Sequence, residues 1–205
     1  MIFMHLQYSK GAVALRVISG MLRGLKLDSP SGLETRPTLD RVKESLFNII
    51  FSYVLDADVL DLFAGSGALG IEALSRGAKS CTFVDNNDDA LRVIKSNLKK
   101  ARLEDKPEVV SSDSIGFLKK TDKKYDIIFL DPPYKAGLYE EVLLIIKQRQ
   151  ILNQGGIIAV ECDSSSSVEA EGYITVKDKI YGKARIYVLE DMAGNEKDSS
   201  ISGQL

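Results

Sequence analysis

The sequence predicts an α/β fold: a mostly parallel, seven-stranded sheet with helices on both faces and an antiparallel final strand. Three observations lead to this prediction. From residue 57 onward, short apolar runs rich in β-forming residues alternate with helical stretches. The first of these strands ends in a glycine-rich turn that opens a helix. Near the carboxyl end, two strands follow one another with no helix between them, which predicts antiparallel pairing there.

The composition is ordinary for a single soluble globular domain. A chain of 205 residues can build a full sheet and core. Hydrophobic residues make up 44% and charged residues 27% of it. No apolar stretch of the sequence approaches the length of a membrane span, and residues 1–13 lack the sustained apolar run of a signal peptide. We therefore expect a cytoplasmic protein.

The first elements are expected to be an extension and a small hairpin. Residues 1–15 are interpreted as a loosely ordered N-terminal extension. Val13–Ser19 and Gly24–Leu27 are predicted to pair as two short strands around a turn at Gly20–Arg23.

A loop and a helix are expected next. Proline and glycine at 29–38 indicate a loop, which we expect to fold over a cofactor as a lid. Thr38 is expected to cap a helix that ends before Asp56. Apolar residues along one face of that helix are Leu39, Val42, Leu46, Ile49 and Ile50.

Alternating strands and helices then make up most of the chain. The strands are predicted at Val59–Phe63, Ser80–Val84, Glu108–Ser111, Tyr125–Leu130 and Ile157–Glu161. The helices are predicted at Ala68–Ser75, Asp88–Ala101, Ser114–Lys120 and Leu138–Arg149. After a serine-rich loop at 164–167, the last strands are predicted at Gly172–Lys177 and Arg185–Leu189. We interpret 16–191 as one domain, with the hairpin and loop at 16–37, and 192–205 as a disordered tail.

The glycine turn after the first strand is the first candidate site. Gly65, Gly67 and Gly70 have the spacing of the dinucleotide-binding fingerprint, although a turn without any ligand can show the same spacing. Such a turn lets the backbone approach a ligand, and the amides of the first helical turn point at it. Asp61 lies inside the apolar strand, where a carboxylate needs a partner such as a cofactor ammonium. Asp85 follows the second strand, where ribose hydroxyls are held in such folds.

The second candidate site is the sequence Asp131-Pro132-Pro133-Tyr134 after the fourth strand. Because ligands of open α/β sheets bind beyond the carboxyl ends of the strands, Asp131 is expected on the same rim as the glycine turn. The two prolines remove two N–H donors and leave carbonyl and carboxylate acceptors beside an aromatic ring. These groups suit a flat ligand that carries an amine, with Tyr134 stacking on its ring.

Other side-chain chemistry is sparse. Cys81 and Cys162 lie in predicted strands and are expected to be reduced, buried thiols. His5 is the only histidine of the sequence, and no metal-ligand spacing is present, so no metal site is expected.

The charge distribution points to two basic segments within a chain of net charge −2. Residues 1–45 carry seven basic and four acidic side chains, and 176–186 carry four basic and one acidic side chain. The two segments are expected to form a local phosphate-binding face, with ordinary solvated surface charge as the alternative. The candidate phosphate contacts are Arg16, Arg23, Arg36, Arg41, Lys43, Lys183 and Arg185.

These motifs together resemble the RsmD family of class I S-adenosylmethionine-dependent methyltransferases. The resemblance is carried by Arg16–Gly20, Arg23-Gly24, Arg36–Thr38, Arg41–Glu44, Leu60–Gly67 and Asp131–Tyr134. It covers about Arg16 to Leu189 and departs from the family in the extension and the tail. It implies a Rossmann-like class I methyltransferase fold and methylation of the N2 amine of one guanine in bacterial small-subunit ribosomal RNA. The implied partner is the small ribosomal subunit or its RNA, and the candidate phosphate contacts named above are the expected RNA contacts. No membrane or metal partner is expected, and the protein is expected to be a monomer.

The resemblance also implies roles for individual residues. Asp131, the Pro132 carbonyl and Tyr134 would hold and stack the target base. Asp113 would accept a hydrogen bond from the adenine amine of the cofactor, although it also fits a helix N-cap. The S-adenosylmethionine-binding residues implied are Asp61, Phe63, Ala64, Gly65, Ser66, Gly67, Asp85, Asn86, Asp113 and Ser114.

Three other functions remain open at this point. An amino-methyltransferase acting on adenine N6 or on a protein glutamine would share the fold, but such sites often carry Asn where Asp131 stands. An NAD-dependent oxidoreductase would share the glycine spacing, but this sequence shows no clear catalytic dyad for one. That function would also leave the Asp131 motif without a role. A non-catalytic RNA-binding assembly factor is also compatible with the fold. The intact glycine turn and Asp131 argue against it.

Overall fold

The computed structural model describes residues 15–30, 37–103, 105, 107–132 and 138–192. Its helices are Pro37–Ile49 (α1), Phe51–Val54 (α2), Ala68–Ser75 (α3), Asp88–Ala101 (α4), Ser114–Lys120 (α5) and Leu138–Gln148 (α6). Its strands are Asp58–Asp61 (β1), Ser80–Asp85 (β2), Pro107–Ser111 (β3), Tyr125–Leu130 (β4), Leu152–Asp163 (β5), Tyr173–Tyr181 (β6) and Ala184–Asp191 (β7). The predicted alternation of strands and helices is therefore confirmed. The largest difference is β5, which begins five residues earlier than predicted because Leu152 already pairs with Tyr125 of β4.

The seven strands form one sheet in the order β3-β2-β1-β4-β5-β7-β6. Strands β1 to β5 pair in parallel, and β7 pairs antiparallel with both β5 and β6. The mostly parallel sheet and its antiparallel final strand are thus confirmed. The chain order reverses direction between β1 and β4, and such a switch point opens a crevice at the carboxyl ends of the strands.

Two hydrophobic cores cover the two faces of the sheet. On one face, α1 to α4 contribute buried residues such as Phe47, Ile71 and Ile94. On the other face, α5 and α6 contribute buried residues such as Leu118 and Ile146. The predicted placement of helices on both faces is therefore confirmed.

The N-terminal hairpin is smaller than predicted. An antiparallel bridge joins Arg16 to Lys26, and Val17 N–H donates to the Leu25 carbonyl at 2.9 Å. This isolated bridge replaces the two predicted strands, because many of the hairpin's polar backbone groups bind α3 instead of each other. Gly20 explains the close approach: its φ is +81°, and a Cβ there would lie 1.9 Å from the Ser75 carbonyl oxygen.

Helix α1 begins one residue earlier than the predicted cap. Pro37 is the first helical residue, a position that suits proline because the first turn needs no N–H partner there. Thr38 therefore lies inside the first turn and does not cap the helix. The predicted apolar face is confirmed at Val42, Leu46 and Ile50, which are all buried.

Several predictions concern residues outside the described ranges. His5, Arg36, Tyr134 and most of the predicted lid fall there, as do residues 1–14 of the extension and 193–205 of the tail. The domain boundaries, the lid and the tail stay predictions. Cys81 and Cys162 lie in β2 and β5 and are buried free thiols, as predicted. Within the described ranges, none of the helices combines the length and the apolarity that crossing a membrane requires.

Candidate active site

A cavity of about 850 Å³ opens at the carboxyl ends of β1 and β4, where the strand order reverses. Its walls are mostly apolar, with a few polar groups among them. The structure brings eleven of the predicted cofactor and catalytic residues to this cavity: Asp61, Phe63, Ala64, Gly65, Ser66, Asp85, Asn86, Asp113, Ser114, Asp131 and Pro132. Gly67 is not in its lining, and Tyr134 lies outside the described residues.

The glycine turn between β1 and α3 has the backbone geometry that its sequence predicts. Gly65 and Gly67 have φ values of +53° and +77°, which side chains with a Cβ rarely adopt. Gly70 serves packing: a Cβ there would lie 2.3 Å from Phe83 Cε1 and 2.6 Å from Cys81 Sγ. Gly67 and Gly70 therefore shape the turn and seat α3 on β2, while Gly65 faces the cavity.

Asp61 lies at the floor of the cavity and is 3% exposed. Its Oδ2 accepts the Gly70 N–H at 3.0 Å, and no other donor among the described residues reaches this carboxylate. Burial raises the pKa of Asp61 to about 7, the Gly70 bond opposes this rise, and the nearby Asp131 and Asp85 carboxylates add to it. Oδ1 is therefore available to a ligand cation, which would relieve the unfavourable burial of charge.

Asp85 at the end of β2 holds the glycine turn in place. Its Oδ2 accepts the Gly65 N–H at 2.8 Å, and its Oδ1 accepts the Asn87 N–H at 2.9 Å. We expected the amides around the turn to point at a ligand, but those of Gly65 and Gly70 bind protein carboxylates. The reason is that these carboxylates lie at strand ends directly below the turn.

Four residues in neighbouring strands lie at one level of the sheet. Asp61 pairs with Phe83 on one side and with Phe129 on the other, and Phe129 pairs with Ala159. Paired residues of a sheet share a face, and side chains alternate between faces along each strand. Asp61, Phe83, Phe129 and Ala159 therefore point to the same face.

Three acidic residues lie two positions further along their chain segments, toward the carboxyl edge of the sheet. Asp85, Asp131 and Glu161 come two residues after Phe83, Phe129 and Ala159, so they continue on the same face, about 6.6 Å closer to the carboxyl edge. All three line the cavity with Asp61. The register thus collects four carboxyl groups, from four adjacent strands, in one place.

Asp131 and Glu161 form the part of this group that lies away from the glycine turn. Asp131 follows the last β4 residue and is exposed to the cavity, whereas Glu161 in β5 is half-buried. The pKa of each carboxyl is raised, chiefly by removal from water, and the Asp131 charge adds to the rise for Glu161. The pKa rises further for Asp61, because the Asp131 and Asp85 charges add to the effect of burial there.

Sequence reasoning missed Glu161, although a signal for it was present. The fifth strand predicted from the sequence, Ile157–Glu161, ends in this acidic residue, just as Asp85 ends β2 and Asp131 follows β4. Applying the same rule to the fifth strand would have found it.

Asp113 caps a helix and also borders the cavity. Its Oδ1 accepts the Gly116 N–H at 2.7 Å, which confirms the helix N-cap of α5. The residue also lines the cavity beside Ser114. A hydrogen bond to a cofactor amine therefore stays a prediction that the position permits.

Asn97 is a second residue that sequence reasoning missed. It is completely buried on α4, and its Nδ2 donates to the Ser66 carbonyl at 2.9 Å and to the Asp28 carbonyl at 3.0 Å. Its Oδ1 accepts the Asp28 N–H at 2.8 Å. Asn97 thus joins the glycine turn to the segment that includes Ser29, another residue of the cavity wall. A polar residue on the apolar face of an amphipathic helix was the available signal.

Lys43 does not have the position that we expected of an RNA contact. It is 5% exposed, with Nζ 3.2 Å from Glu72 Oε2 and donating to the Arg16 carbonyl at 2.6 Å. Burial lowers the pKa of Lys43, and the Glu72 charge opposes this. The prediction of a phosphate contact at Lys43 is therefore wrong, because its ammonium is held inside the protein.

Glu72 is the centre of this buried arrangement. It lies on α3, is completely buried, and accepts the N–H groups of Ile18 and Ser19 at 2.7 and 2.9 Å. It also pairs with Arg76 at 2.8 Å. A charged residue in an otherwise apolar helix was the signal for it in the sequence.

Three of the predicted RNA-binding arginines surround a separate cavity of about 480 Å³. Arg16, Arg23 and Arg41 line this arginine cleft between the hairpin and α1, and all three are exposed. Arg16 pairs with Asp40 at 3.0 Å, and Glu44 lies on the same wall. The cleft therefore has a small excess of positive charge that faces solvent.

Two further predicted RNA contacts, Lys183 and Arg185, lie at the turn between β6 and β7 and at the start of β7. Lys183 is exposed, whereas Arg185 forms a bidentate pair with Asp178 at 2.8 and 2.7 Å and stacks on Tyr187. Much of the hydrogen-bonding capacity of Arg185 is therefore already used.

Among the described residues, no group of three or more His, Cys, Asp or Glu side chains is arranged to hold a metal ion.

Comparison with known proteins places these features in a family context. A family model described as conserved hypothetical protein 95 matches residues 15–190. YlbH of Bacillus subtilis, named as a candidate rRNA methyltransferase, is 42% identical over 182 residues, which cover 87% of this chain and 97% of YlbH. The ribosomal RNA small subunit methyltransferase D of Haemophilus influenzae is 36% identical over 178 residues, covering 85% of this chain and 91% of that protein.

Solved structures share the architecture. A candidate methyltransferase of Escherichia coli, yhhF, superposes with a TM-score of 0.78 at 34% identity, covering 87% of this chain and 98% of that one. The predicted class I methyltransferase fold is therefore confirmed.

Proposed function

We propose that this protein methylates the N2 amine of a guanine in small-subunit ribosomal RNA. The chain belongs to the conserved hypothetical protein 95 family, which is the family of the small-subunit ribosomal RNA methyltransferases D (RsmD). The chain is an S-adenosylmethionine-dependent methyltransferase of small-subunit ribosomal RNA. The base and the atom are our proposal. The partner is the small ribosomal subunit or its RNA, and a monomeric state and a cytoplasmic location stay predictions.

The described residues fit S-adenosylmethionine. The cavity volume of about 850 Å³ lies within the usual range for small-molecule sites. The buried Asp61 carboxylate has an oxygen that a ligand ammonium would satisfy, and Asp85 stands one strand away for the ribose hydroxyls. Asp113 and Ser114, after β3, would bind the adenine end. This order of groups, from β3 through β2 to β1, matches the order of the cofactor's parts.

The cofactor would supply an electrophilic methyl group on a positively charged sulfur, so the protein's task is chiefly to position the acceptor. The guanine N2 amine is a weak nucleophile because its lone pair is conjugated with the ring. Asp131 and the Pro132 carbonyl would accept the two N2 hydrogens and turn the lone pair toward the methyl carbon. As N2 gains the methyl group it loses one hydrogen as a proton. Asp131, which would already hold this amine, would also accept the proton, and its raised pKa makes it more basic than an ordinary aspartate.

The arginine cleft would contact the RNA backbone. Arg23 and Arg41 are exposed on its wall, and Arg16 contributes a charge that is partly balanced by Asp40. Phosphate contacts of this kind fix the orientation of the RNA without reading its sequence. Lys183 would add a contact at the β6–β7 turn.

The observation that carries the proposal is the position of Asp131. It lies at the switch point of the sheet and shares one cavity with the glycine turn and with Asp61 and Asp85. An acceptor group for an amine is thereby placed beside the groups that suit a methyl donor.

The direct test uses S-adenosylmethionine with a labelled methyl group. The protein is incubated with small ribosomal subunits that lack the modification, with naked small-subunit RNA, and with duplex DNA, and the labelled base is mapped. We expect label on a guanine N2 in the subunits or in their RNA. Label on an adenine or in a ribosomal protein would overturn the guanine assignment. Cofactor binding without any transfer would favour an assembly factor.

A further inference from the structure

We propose that Glu161 reads the target base by accepting the N1–H of guanine, beside the N2 amine held by Asp131. Glu161 is then a specificity-determining residue that favours guanine over any base with an acceptor at N1. This inference rests on the proposed function and extends it to one further side chain.

The register of the sheet places Glu161 next to Asp131. The last paired residues of β4 and β5 are Leu130 and Val160, so Asp131 and Glu161 follow at the same level on adjacent strands. Adjacent strands are about 4.8 Å apart, which is short enough for both carboxyl groups to contact one small planar ligand. Both groups line the same cavity.

The position of Glu161 in the sheet assigns it to the substrate side. The strand order β3-β2-β1-β4-β5 puts the proposed adenosine groups at one end of the row of strands and Glu161 at the other. Three strand spacings, about 14 Å, separate β5 from β2, which carries Asp85. Glu161 is therefore farther from the proposed cofactor groups than Asp131 is. This is the side of the cavity on which the base must lie.

The carboxyl groups of Asp131 and Glu161 receive no hydrogen bond from the described residues. Within the part of the chain that the structure describes, no N–H or O–H group donates to either of these side chains. The contact at Glu161 involves its main chain, where the carbonyl accepts the Tyr139 hydroxyl at 3.0 Å. A half-buried carboxyl without donors is costly in the absence of a ligand, so this pair suits a ligand that brings several donors on one edge.

Guanine has such an edge. It presents the N1–H and the N2 amine side by side, whereas adenine presents a bare acceptor at N1. An adenine at this site would set its N1 lone pair against the half-buried Glu161 carboxylate and would leave that carboxylate without a donor, which is unfavourable. Donation by N1–H would favour the ionised form of Glu161 and oppose the burial that otherwise raises its pKa.

The test combines Glu161→Gln with a substrate that lacks the N1–H. The wild type and the variant are assayed on small-subunit RNA, or on subunits reconstituted from it, that carries guanine or 2-aminopurine at the modified position. 2-Aminopurine keeps the N2 amine, has an acceptor at N1 and also lacks O6, so the effect of the N1–H is taken from how Glu161→Gln changes the ratio of the two rates. Glu169→Gln, the same chemical change at an exposed position, serves as the matched control.

We expect the wild type to methylate guanine about 10- to 100-fold faster than 2-aminopurine, the scale for losing one hydrogen bond to a charged group. Glu161→Gln should methylate guanine more slowly than the wild type by a similar factor. The ratio of its rates on guanine and 2-aminopurine should be at least about tenfold smaller than in the wild type, because the glutamine amide can donate to the acceptor at N1. Cofactor affinity by calorimetry should stay within about threefold of the wild type in both variants.

The opposing results are distinct. If the wild type uses 2-aminopurine as fast as guanine, the N1–H contact does not exist, and this comparison does not depend on how any variant folds. If Glu161→Gln keeps both the rate and the preference, or loses cofactor affinity by the same factor as rate, Glu161 does not read the base. If the wild type places no label on a guanine N2, the proposed function fails, and this inference fails with it.

Discussion

Replacement of Glu72 by alanine should release the N-terminal hairpin from the rest of the protein. In the native structure this completely buried carboxylate accepts the Ile18 and Ser19 amides and pairs with Lys43 and Arg76. The alanine variant leaves the two amides without their acceptor and the buried Lys43 ammonium without its counter-charge, although the Arg16 carbonyl still accepts from it. Arg76 keeps a contact with the Phe47 ring, so its loss is smaller.

The expected cost can be set from these contacts. Removing one partner of a buried ion pair costs about 3–5 kcal/mol, because the other charge stays buried. Each amide left without an acceptor costs about 1–3 kcal/mol, at the lower end here because Ile18 and Ser19 are only half-buried. These free-energy costs all arise from the loss of one carboxylate and do not simply add. We therefore expect a total loss of unfolding free energy of about 3–5 kcal/mol. At about 2–4 °C per kcal/mol for a chain of this size, the melting temperature should fall by roughly 6–20 °C.

Urea unfolding followed by circular dichroism measures the total, and hydrogen exchange at Ile18 and Ser19 measures the hairpin alone. Glu141→Ala, at an exposed helical position, should change stability by less than about 0.5 kcal/mol. The double variant Glu72→Gln with Lys43→Met removes both charges together, so it should be more stable than Glu72→Gln alone.

A loss below about 1 kcal/mol in Glu72→Ala would refute this account, since it would mean that the buried groups find water or other partners easily. Unchanged exchange at the two hairpin amides would refute it as well. A double variant no more stable than Glu72→Gln would show that the buried Lys43 charge is not what makes the single change costly.

Four further changes test the site. Asp131→Ala should lower single-turnover methylation about 10²-fold while cofactor affinity by calorimetry changes little, and equal losses would remove its role toward the amine. Gly70→Ala should destabilise by at least about 1–3 kcal/mol in urea because its methyl group overlaps β2, whereas Gly155→Ala, in open space, should show only the cost of its positive φ, about 1 kcal/mol. Because the folded pKa of Asp61 is about 7 and its ordinary value is 3.8, its stabilising contribution is complete below about pH 3.8 and is lost as the pH rises through about 7. Asp61→Asn should therefore flatten the fall in unfolding free energy between about pH 4 and 7, and an unchanged slope would contradict this pKa. Arg23→Ala should weaken RNA binding on all sequences alike and reduce the slope of log affinity against log salt by about 0.7–0.9, while an unchanged slope would remove it from the RNA surface.

Local sequence patterns were sufficient for the order of elements and for much of the site. The helix Ala68–Ser75 and the strand Tyr125–Leu130 have the bounds that periodicity and glycine punctuation predicted. Asp61, Asp85 and Asp131 were found because a carboxylate at or near the end of an apolar strand is unusual, and all three line the cavity. Each of these inferences depends on residues that are neighbours along the chain.

Predictions about individual charges were weaker. Lys43 and Arg41 lie on the same helix, and both were expected to contact RNA, yet Lys43 is buried and Arg41 is exposed. The difference comes from Glu72, which is 29 positions away in the sequence and meets Lys43 only in the folded protein. Arg185 is likewise occupied by Asp178 across the β6–β7 hairpin.

By itself, the sequence determined the alternation of strands and helices, the glycine turn and the acidic residues that end the strands, because these follow from the local backbone preferences of neighbouring residues. The tertiary structure alone decided that Asp61, Asp131 and Glu161 share one face and one cavity. That outcome depends on the register between β1, β4 and β5, and a shift of one residue in any pair would turn a carboxylate to the opposite face. Register is a property of pairing between distant segments, since the hydrogen bonds and core packing that select it form only once those segments meet.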